Sequence, residues 1–365
     1  MSKDFIYKNS IENLSRILKE EKAKNILVFT SKKSFNGFKS IIELQLKGFD
    51  LTYYSDFLNN PKADEVQTAV GKLGKNFDII VAIGGGSVID FAKLFRFSID
   101  NDISVEAFFQ TKPTVQQKTK LIAIPTTAGT GAETTQFAVV YVNGVKHSLE
   151  DKAVLPDYAI VDSQFAENVP KYIKACCALD AYCQAIESFW AVDSTNESIE
   201  FAIKSIELCR DYLEKYVNFK NSEYAEKMAL ASNLSGKAIN ISKTTASHAL
   251  SYAITADYGL PHGHAVALSI ANLMEFNSVI DENSNQDKRG VKFVKTQMET
   301  LYKLIGVTNS VEYFLRLFNN IEIEYNLKKL GINDVQSVIK KVDLQRLGNN
   351  PRRMDFESLN NIFIC

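Results

Sequence analysis

No excess of charge, no long apolar run and no C-x-x-C cysteine pair occur in this 365-residue chain. Its formal net charge is -1 at pH 7, so neither a nucleic acid nor an anionic membrane surface is an expected partner. No apolar stretch approaches the roughly 18 residues needed to span a bilayer. The opening MSKDFIYKNS also lacks the apolar core of a secretory signal. Cys176, Cys177, Cys183, Cys209 and Cys365 contain no C-x-x-C pair. They read as small apolar fillers of a reduced, cytoplasmic protein rather than as thiolate ligands. Repeats and low-complexity linkers are missing too, which predicts two domains packed tightly around a shared cleft. Histidine is scarce, with four in the chain, so the position of each one carries information.

What is present begins with an alternation of strands and helices. NILVFTS (25–31) reads as a buried strand, followed by a helix over 34–47. FDLTYYSDF is a second strand, ended by Asn60-Pro61, and a helix spans Lys62 to Gly74. FDIIVAIGGG and TKLIAIPTT are apolar runs that end in turns, and Asn143-Gly144 signals a hairpin. Continuous apolar strands spaced by helices predict a parallel sheet covered on both faces. After VLPDYAIVD (154–162) the apolar residues recur at helical spacing. The expectation is an α/β nucleotide-binding domain over 1–165 and an all-α domain over 166–365.

Two loops carry the nucleotide expectation. Gly84-Gly85-Gly86-Ser87 closes a strand and opens a helix, where glycines admit a pyrophosphate and the helix N-terminus offers N–H groups. The spacing is not G-x-G-x-x-G. PTTAGTGAETT (125–135) is a second loop of small and hydroxyl residues after another strand. Such loops at strand ends are where open α/β sheets bind ligands. The first strand ends Thr30-Ser31-Lys32-Lys33, with no carboxylate for a ribose 2′-OH. Two cations there suit a 2′-phosphate, which favours NADPH over NADH; solvated lysines are the alternative.

Chemistry points to His248 and His262, which frame SHALSYAITADYGLPHGHAVAL, and to LDAYCQAIES, which sets Asp180 and Gln184 four residues apart on one helix face. Nitrogen and oxygen donors from separate elements suit a divalent transition metal with an open position.

Taken in order, GGGSVIDFAK, PTTAGTGAETT, VLPDYAIVD, LDAYCQAIES and SHALSYAITADYGLPHGHAVAL resemble the iron-containing alcohol dehydrogenases across nearly the whole chain. The resemblance implies a nucleotide-binding domain, a helical domain, a metal between them and a homodimer. It implies Asp180, His248 and His262 as ligands of Fe2+ or, failing that, Zn2+. Where that family has a third histidine this chain has Gln184, an optional fourth ligand through its carbonyl oxygen. Tyr252 stands where the family often carries a non-ligating histidine, and is expected either to pass a proton or to pack on the nicotinamide. Ser31, Asn60, Gly85, Gly86, Ser87, Asp90, Thr126, Thr127 and Thr130 are the implied cofactor-binding residues. His264 is expected to be structural and His147 to lie on the surface.

Gln184, KAINISKTTASHALSY and GNNPRRMDFE are similar to one branch in particular, the phosphonoacetaldehyde reductases. That implies NAD(P)H-dependent reduction of a phosphonate-bearing aldehyde to its alcohol, with Lys237, Lys243, Arg352 and Arg353 binding the phosphonate. A dehydrogenase of another small alcohol, polyol or aldehyde is the alternative, and a dehydroquinate synthase-like lyase a more distant one.

Overall fold

The computed structural model describes residues 2–32, 35–342 and 344–363; Lys33 and Cys365 lie outside the described residues. Two compact units are present, Met1–Thr127 with Gly131–Asn168, and Ala128–Thr130 with Val169–Cys365.

The first unit is built in the order β1 (Lys3–Ile6), α1 (Asn13–Glu20), β2 (Asn25–Thr30), α2 (Lys39–Gln45), β3 (Asp50–Tyr54), α3 (Ala63–Leu73), β4 (Ile79–Gly84), α4 (Gly86–Asn101), α5 (Val105–Thr111), β5 (Lys120–Pro125), β6 (Phe137–Val142), β7 (Val145–Glu150), β8 (Tyr158–Val161) and α6 (Ser163–Glu167). Six strands form one parallel sheet in the order β1-β8-β5-β4-β2-β3. Successive residues of its central strands divide between two cores. Leu27, Phe29, Ile80, Ala82, Leu121 and Ala123 join one, while Ile26, Val28, Ile79, Val81, Ile83, Ile122 and Ile124 join the other. A sheet covered on both faces requires both sets to be apolar, which is why these strands read as unbroken runs.

β6 and β7 form a separate antiparallel hairpin. Asn143 and Gly144 take φ of 51° and 79°, the left-handed pair that a tight primed turn needs. The expected helix over 34–47 is shorter, with a 3-10 turn at Phe35–Gly37 before α2. β1 escapes a pattern reading because KDFI is half charged. It lies at the sheet edge and pairs only with β8, so its outer side tolerates polar residues.

The second unit contains α7 (Lys171–Trp190), α8 (Asn196–Asn218), α9 (Ser222–Ser242), α10 (Ala246–Tyr258), α11 (His262–Ser278), α12 (Val291–Ile305), α13 (Ser310–Asn320), α14 (Val335–Lys340) and α15 (Phe356–Leu359). From Ala178 to Trp190 every residue of α7 is buried, the mark of a helix enclosed by others. It packs against α8, α9, α11 and α12. No helix of the described residues is long and apolar enough to cross a membrane.

Candidate active site

The carboxyl ends of three neighbouring strands gather the nucleotide candidates. Ser31 follows β2, Gly85 to Ser87 follow β4, and Thr126 and Thr127 follow β5. Between β2 and β4 the strand order reverses, the position at which open α/β sheets form a crevice. Thr126 N donates to Gly84 O at 3.0 Å, tying the two glycine-rich loops together. Asn60, at φ 62°, donates its N–H to Ser87 Oγ at 3.3 Å.

The glycines of this turn serve different ends. A Cβ at Gly84 would fall 2.4 Å from Val88 Cγ2, so its absence lets α4 pack on β4. At Gly85 a Cβ would meet only Thr127, no nearer than 3.6 Å, so packing does not demand glycine there. Gly85 caps α4 without a side-chain hydrogen bond; Val88 N donates to Gly85 O at 3.0 Å, and the Gly86 and Ser87 N–H groups ahead of it stand where a helix N-terminus receives an anion.

Asp90, on the same helix α4, also reaches β6. Its Oδ2 accepts from Val139 N at 3.2 Å, and its Oδ1 lies 3.9 Å from Lys93 Nζ. Burial lifts its carboxyl to about 6, and its bond to Val139 ties β6 to α4. Lys32 also differs from expectation. Asp56, beyond β3, pairs with Lys32 Nζ at 2.7 Å, so the fold supplies a carboxylate that the β2 terminus lacks. Lys32 holds that carboxyl below the usual range.

The second unit assembles the metal candidates from three helices. Asp180 on α7, His248 on α10 and His262 at the start of α11 each present a ligand atom, all within 4.8 Å of one another. Gly263 makes this approach possible. A Cβ there would lie 2.0 Å from Cys176 O and 2.7 Å from Asp180 Cβ, so the first turn of α11 rests on the backbone of α7. Gly129 plays the same part for the small-residue loop, where a Cβ would lie 2.7 Å from Cys177 Cβ.

Glu187, seven residues after Asp180 on α7, orients His248. Its Oε2 contacts His248 Nδ1, while Oε1 accepts from Thr245 Oγ1 at 2.6 Å and Ser247 N at 2.8 Å. Trp190 Nε1 donates to Thr245 Oγ1 at 3.0 Å, extending the network. With Nδ1 committed, Nε2 is the nitrogen left for a metal. It lies 3.6 Å from Asp180 Oδ1, buried and without a hydrogen-bond partner among the described residues. His262 Nε2 is 3.8 Å from the same oxygen.

Burial pulls His248 down, but the Glu187 and Asp180 carboxylates outweigh it and raise the imidazole to about 9. The pocket therefore calls for positive charge, and one carboxylate with two imidazoles is a donor set that fits a divalent transition metal.

Gln184 is turned otherwise than a ligand would be. Its Oε1 accepts from Ser235 Oγ at 3.1 Å, and its Nε2 donates to Asp180 Oδ2 at 3.3 Å and Thr130 O at 3.4 Å. The nitrogen, not the carbonyl oxygen, faces Asp180, because an oxygen there would oppose the carboxylate. Thr130 thereby meets the metal candidates through its carbonyl. Burial pushes the Cys176 and Cys209 thiols up to about 12 and Cys183 well up, which disfavours thiolates beside Asp180.

Tyr252 stacks on His262 with centroids 6.0 Å apart and planes 14° apart. Arg346 Nη1 donates to its hydroxyl at 2.9 Å, and the guanidinium carbon lies 4.8 Å from its ring centroid. The four cations expected to bind substrate each have surroundings of their own. Lys237 is over the Phe201 ring of α8 at 5.9 Å, about 200° around α9 from Ser235. Lys243 is exposed beyond the end of α9. Arg352 donates to Phe276 O at 2.7 Å and lies 4.1 Å over its ring. Phe276 is fourteen residues from His262 on α11, roughly 21 Å along the axis at the α-helical rise. Arg353 is exposed, its N–H bonded to Ser284 O at 2.7 Å.

His264 is structural, held by Tyr172 and by Glu324 O at 2.7 Å. His147 is half-buried, its ring 4.8 Å from that of Phe109. Glu187 and Arg346 were missed from sequence. Glu187 did leave a signal, since it continues the Asp180–Gln184 face at helical spacing. Arg346 left none, being 94 residues from Tyr252 and outside every motif.

A family model described as iron-containing alcohol dehydrogenase matches residues 3–163, and one described as Fe-containing alcohol dehydrogenase family, C-terminal, matches 174–364. The chain is 35% identical over 241 residues to a probable alcohol dehydrogenase EutG of Escherichia coli, covering 65% of this chain and 61% of that one. To a phosphonoacetaldehyde reductase of Streptomyces viridochromogenes it is 31% identical, over 77% of this chain and 74% of the relative. To an NADPH-dependent butanol dehydrogenase of Clostridium saccharobutylicum it is 30% identical, over 100% and 96%. The crystal structure of a sulfoacetaldehyde reductase from Bifidobacterium kashiwanohense in complex with NAD+ superposes with a TM-score of 0.87 at 26% identity, over 98% of this chain and 95% of that one. A parallel α/β unit and a helical unit bearing an Asp–His–His cluster thus accompany matches that run almost from end to end, and the chain belongs to the iron-containing alcohol dehydrogenase family.

Proposed function

We propose that this protein reduces a small aldehyde carrying a compact oxyanion group, phosphonoacetaldehyde before others, to the corresponding alcohol with NAD(P)H. The cluster of buried Asp180 and His248 with half-buried His262 carries the reading. Those three residues would hold a divalent cation, Fe2+ before Zn2+ for two imidazoles and one carboxylate, and that ion when bound supplies a Lewis acid for a carbonyl oxygen. Glu187 keeps His248 in the required tautomer and orientation. Gly85, Gly86 and Ser87 would cradle the pyrophosphate of the nicotinamide cofactor, the source of hydride. The aldehyde gains hydride at carbon and a proton at oxygen, and the cofactor leaves as NAD(P)+.

The anionic substrate is supported by two similarities, to proteins named for phosphonoacetaldehyde and sulfoacetaldehyde. Both names denote a two-carbon aldehyde with a tetrahedral oxyanion. The Lys32–Asp56 pair offsets one of the two charges on which an NADPH preference rested, so use of both cofactors is part of the proposal. A homodimer working in the cytoplasm completes it.

Oxidation of NADH and NADPH with phosphonoacetaldehyde and with propanal, each with and without a chelator, tests the reading. Preference for the phosphonate that chelation abolishes supports it. Equal rates with both aldehydes would remove the anionic substrate, and turnover indifferent to chelator would remove the metal.

A further inference from the structure

We infer that Ser251 is a positioning residue for His262, fixing which ring nitrogen that imidazole turns toward Asp180. The inference rests on the metal cluster of the aldehyde reductase reading above and deepens it. The other two members of the cluster are each steadied by a side chain of α7. Gln184 Nε2 donates to Asp180 Oδ2 at 3.3 Å, and the Glu187 carboxylate contacts His248 Nδ1. His262 opens α11, and the side chain that meets its Nδ1 comes from α10, where Ser251 Oγ lies 3.3 Å away.

The direction of that bond follows from counting protons. A serine hydroxyl has one proton and two lone pairs. Ser251 Oγ donates to His248 O at 2.7 Å, the shorter of these two contacts, so it meets His262 as an acceptor and the proton belongs to Nδ1. A neutral imidazole protonated on Nδ1 keeps its lone pair on Nε2, and Nε2 is the nitrogen 3.8 Å from Asp180 Oδ1. Ser251 is fully buried. The next residue, Tyr252, lies over the face of the same ring, the two planes 14° apart. Consecutive residues of α10 therefore hold His262 by its edge and by its face. The bond to His248 O also couples the two histidines, since the backbone of one sets the hydroxyl that orients the ring of the other. A neutral hydroxyl is a weaker acceptor than a carboxylate, so Ser251 raises the basicity of His262 less than Glu187 raises that of His248. The two imidazoles are unequal donors, His262 the weaker.

The test uses the Zn2+-loaded protein, which is diamagnetic, as wild type, Ser251→Ala and Ser251→Cys. Chelator competition reads Zn2+ affinity, and NMR of histidine-labelled protein reads the ring N–H protons. Ser251→Ala should lose about 10-fold in affinity, the lower end of the range for such outer contacts. One ring N–H signal that the wild type retains should vanish through exchange with water. Ser251→Cys, whose sulfur is a weak acceptor, should fall between on both readings. A wild type that holds no Zn2+ against the chelator would sink the metal reading itself. A wild type that binds Zn2+ while Ser251→Ala keeps its affinity would overturn the role of Ser251 alone. So would a loss of affinity with every N–H signal unchanged, the mark of altered packing only. Should Ser251→Ala fail to fold, Ser251→Cys decides: wild-type values on either reading overturn the inference.

Discussion

Glu187 holds His248 by its Nδ1 and is itself held by Thr245 and Ser247. The imidazole is thus fixed before any ligand arrives, with Nε2 aimed at Asp180.

Glu187→Gln should weaken this arrangement without emptying the space. The neutral amide cannot match the carboxylate as an acceptor of the Nδ1 proton, so metal affinity should fall about 10- to 100-fold. Chelator competition followed by metal analysis measures it directly. An unchanged competition curve would show that Glu187 serves packing alone.

Gln184→His offers the cluster an imidazole in place of an amide that now bonds Asp180, Thr130 and Ser235. Metal retention against the same chelator should rise by about 10-fold or more, given the stronger donor. Looser retention would mean that the amide network around Asp180 matters more than the extra nitrogen.

Glycine substitutions should separate steric need from ligand need. Gly263→Ala forces a methyl group against Cys176 O and Asp180, an overpacking cost of about 3 kcal/mol visible in urea unfolding, together with a loss of bound metal. Gly85→Ala meets only Thr127 at ordinary contact distance, so stability should change by less than about 1 kcal/mol. NADH and NADPH binding, read by fluorescence titration, should nevertheless weaken, because the methyl group intrudes where a pyrophosphate approaches the backbone.

Two buried groups of α4 give pH a defined sign. Burial raises Asp90 from 3.8 to about 6, so between those values the folded protein holds more protons and stability falls as pH rises. Burial lowers Lys93 from 10.5 to about 8, so over that range the unfolded chain holds more protons and stability climbs with pH. Urea midpoints followed against pH should lose the acidic-side decline in Asp90→Asn. In Lys93→Met the alkaline rise should disappear and overall stability should drop, because Thr135 O and Phe137 O lose their donor. Profiles identical to wild type would sink both assignments.

The parts of this protein that repeat a period or fill a motif were legible in the sequence. β2, β4 and β5 are apolar on both faces and read as buried strands. Asn143-Gly144 spells its own turn, and His248 and His262 stand out by scarcity. What escaped depends on contacts across long separations. β1 is a strand because Tyr158 to Val161 lie beside it, not because KDFI is strand-like. Asp90 looks equally apt as a nucleotide ligand or a docking residue until β6 is in place. Lys32 lacks a carboxylate neighbour along the chain but finds Asp56 from the next strand. Arg352 lies in a suggestive motif, yet the length of α11 carries it away from His262.

The near-total burial of α7 separates what this scaffold can change from what it must keep. Asp180, Gln184 and Glu187 share a helix whose inner half has no exposed position, so most alterations there disturb packing together with chemistry. The exposed positions Lys171 and Ile173 in the first turn of the same helix lie roughly 10 Å or more along its axis from Asp180, so the sequence can drift there while the packing around the three inner residues stays as it is.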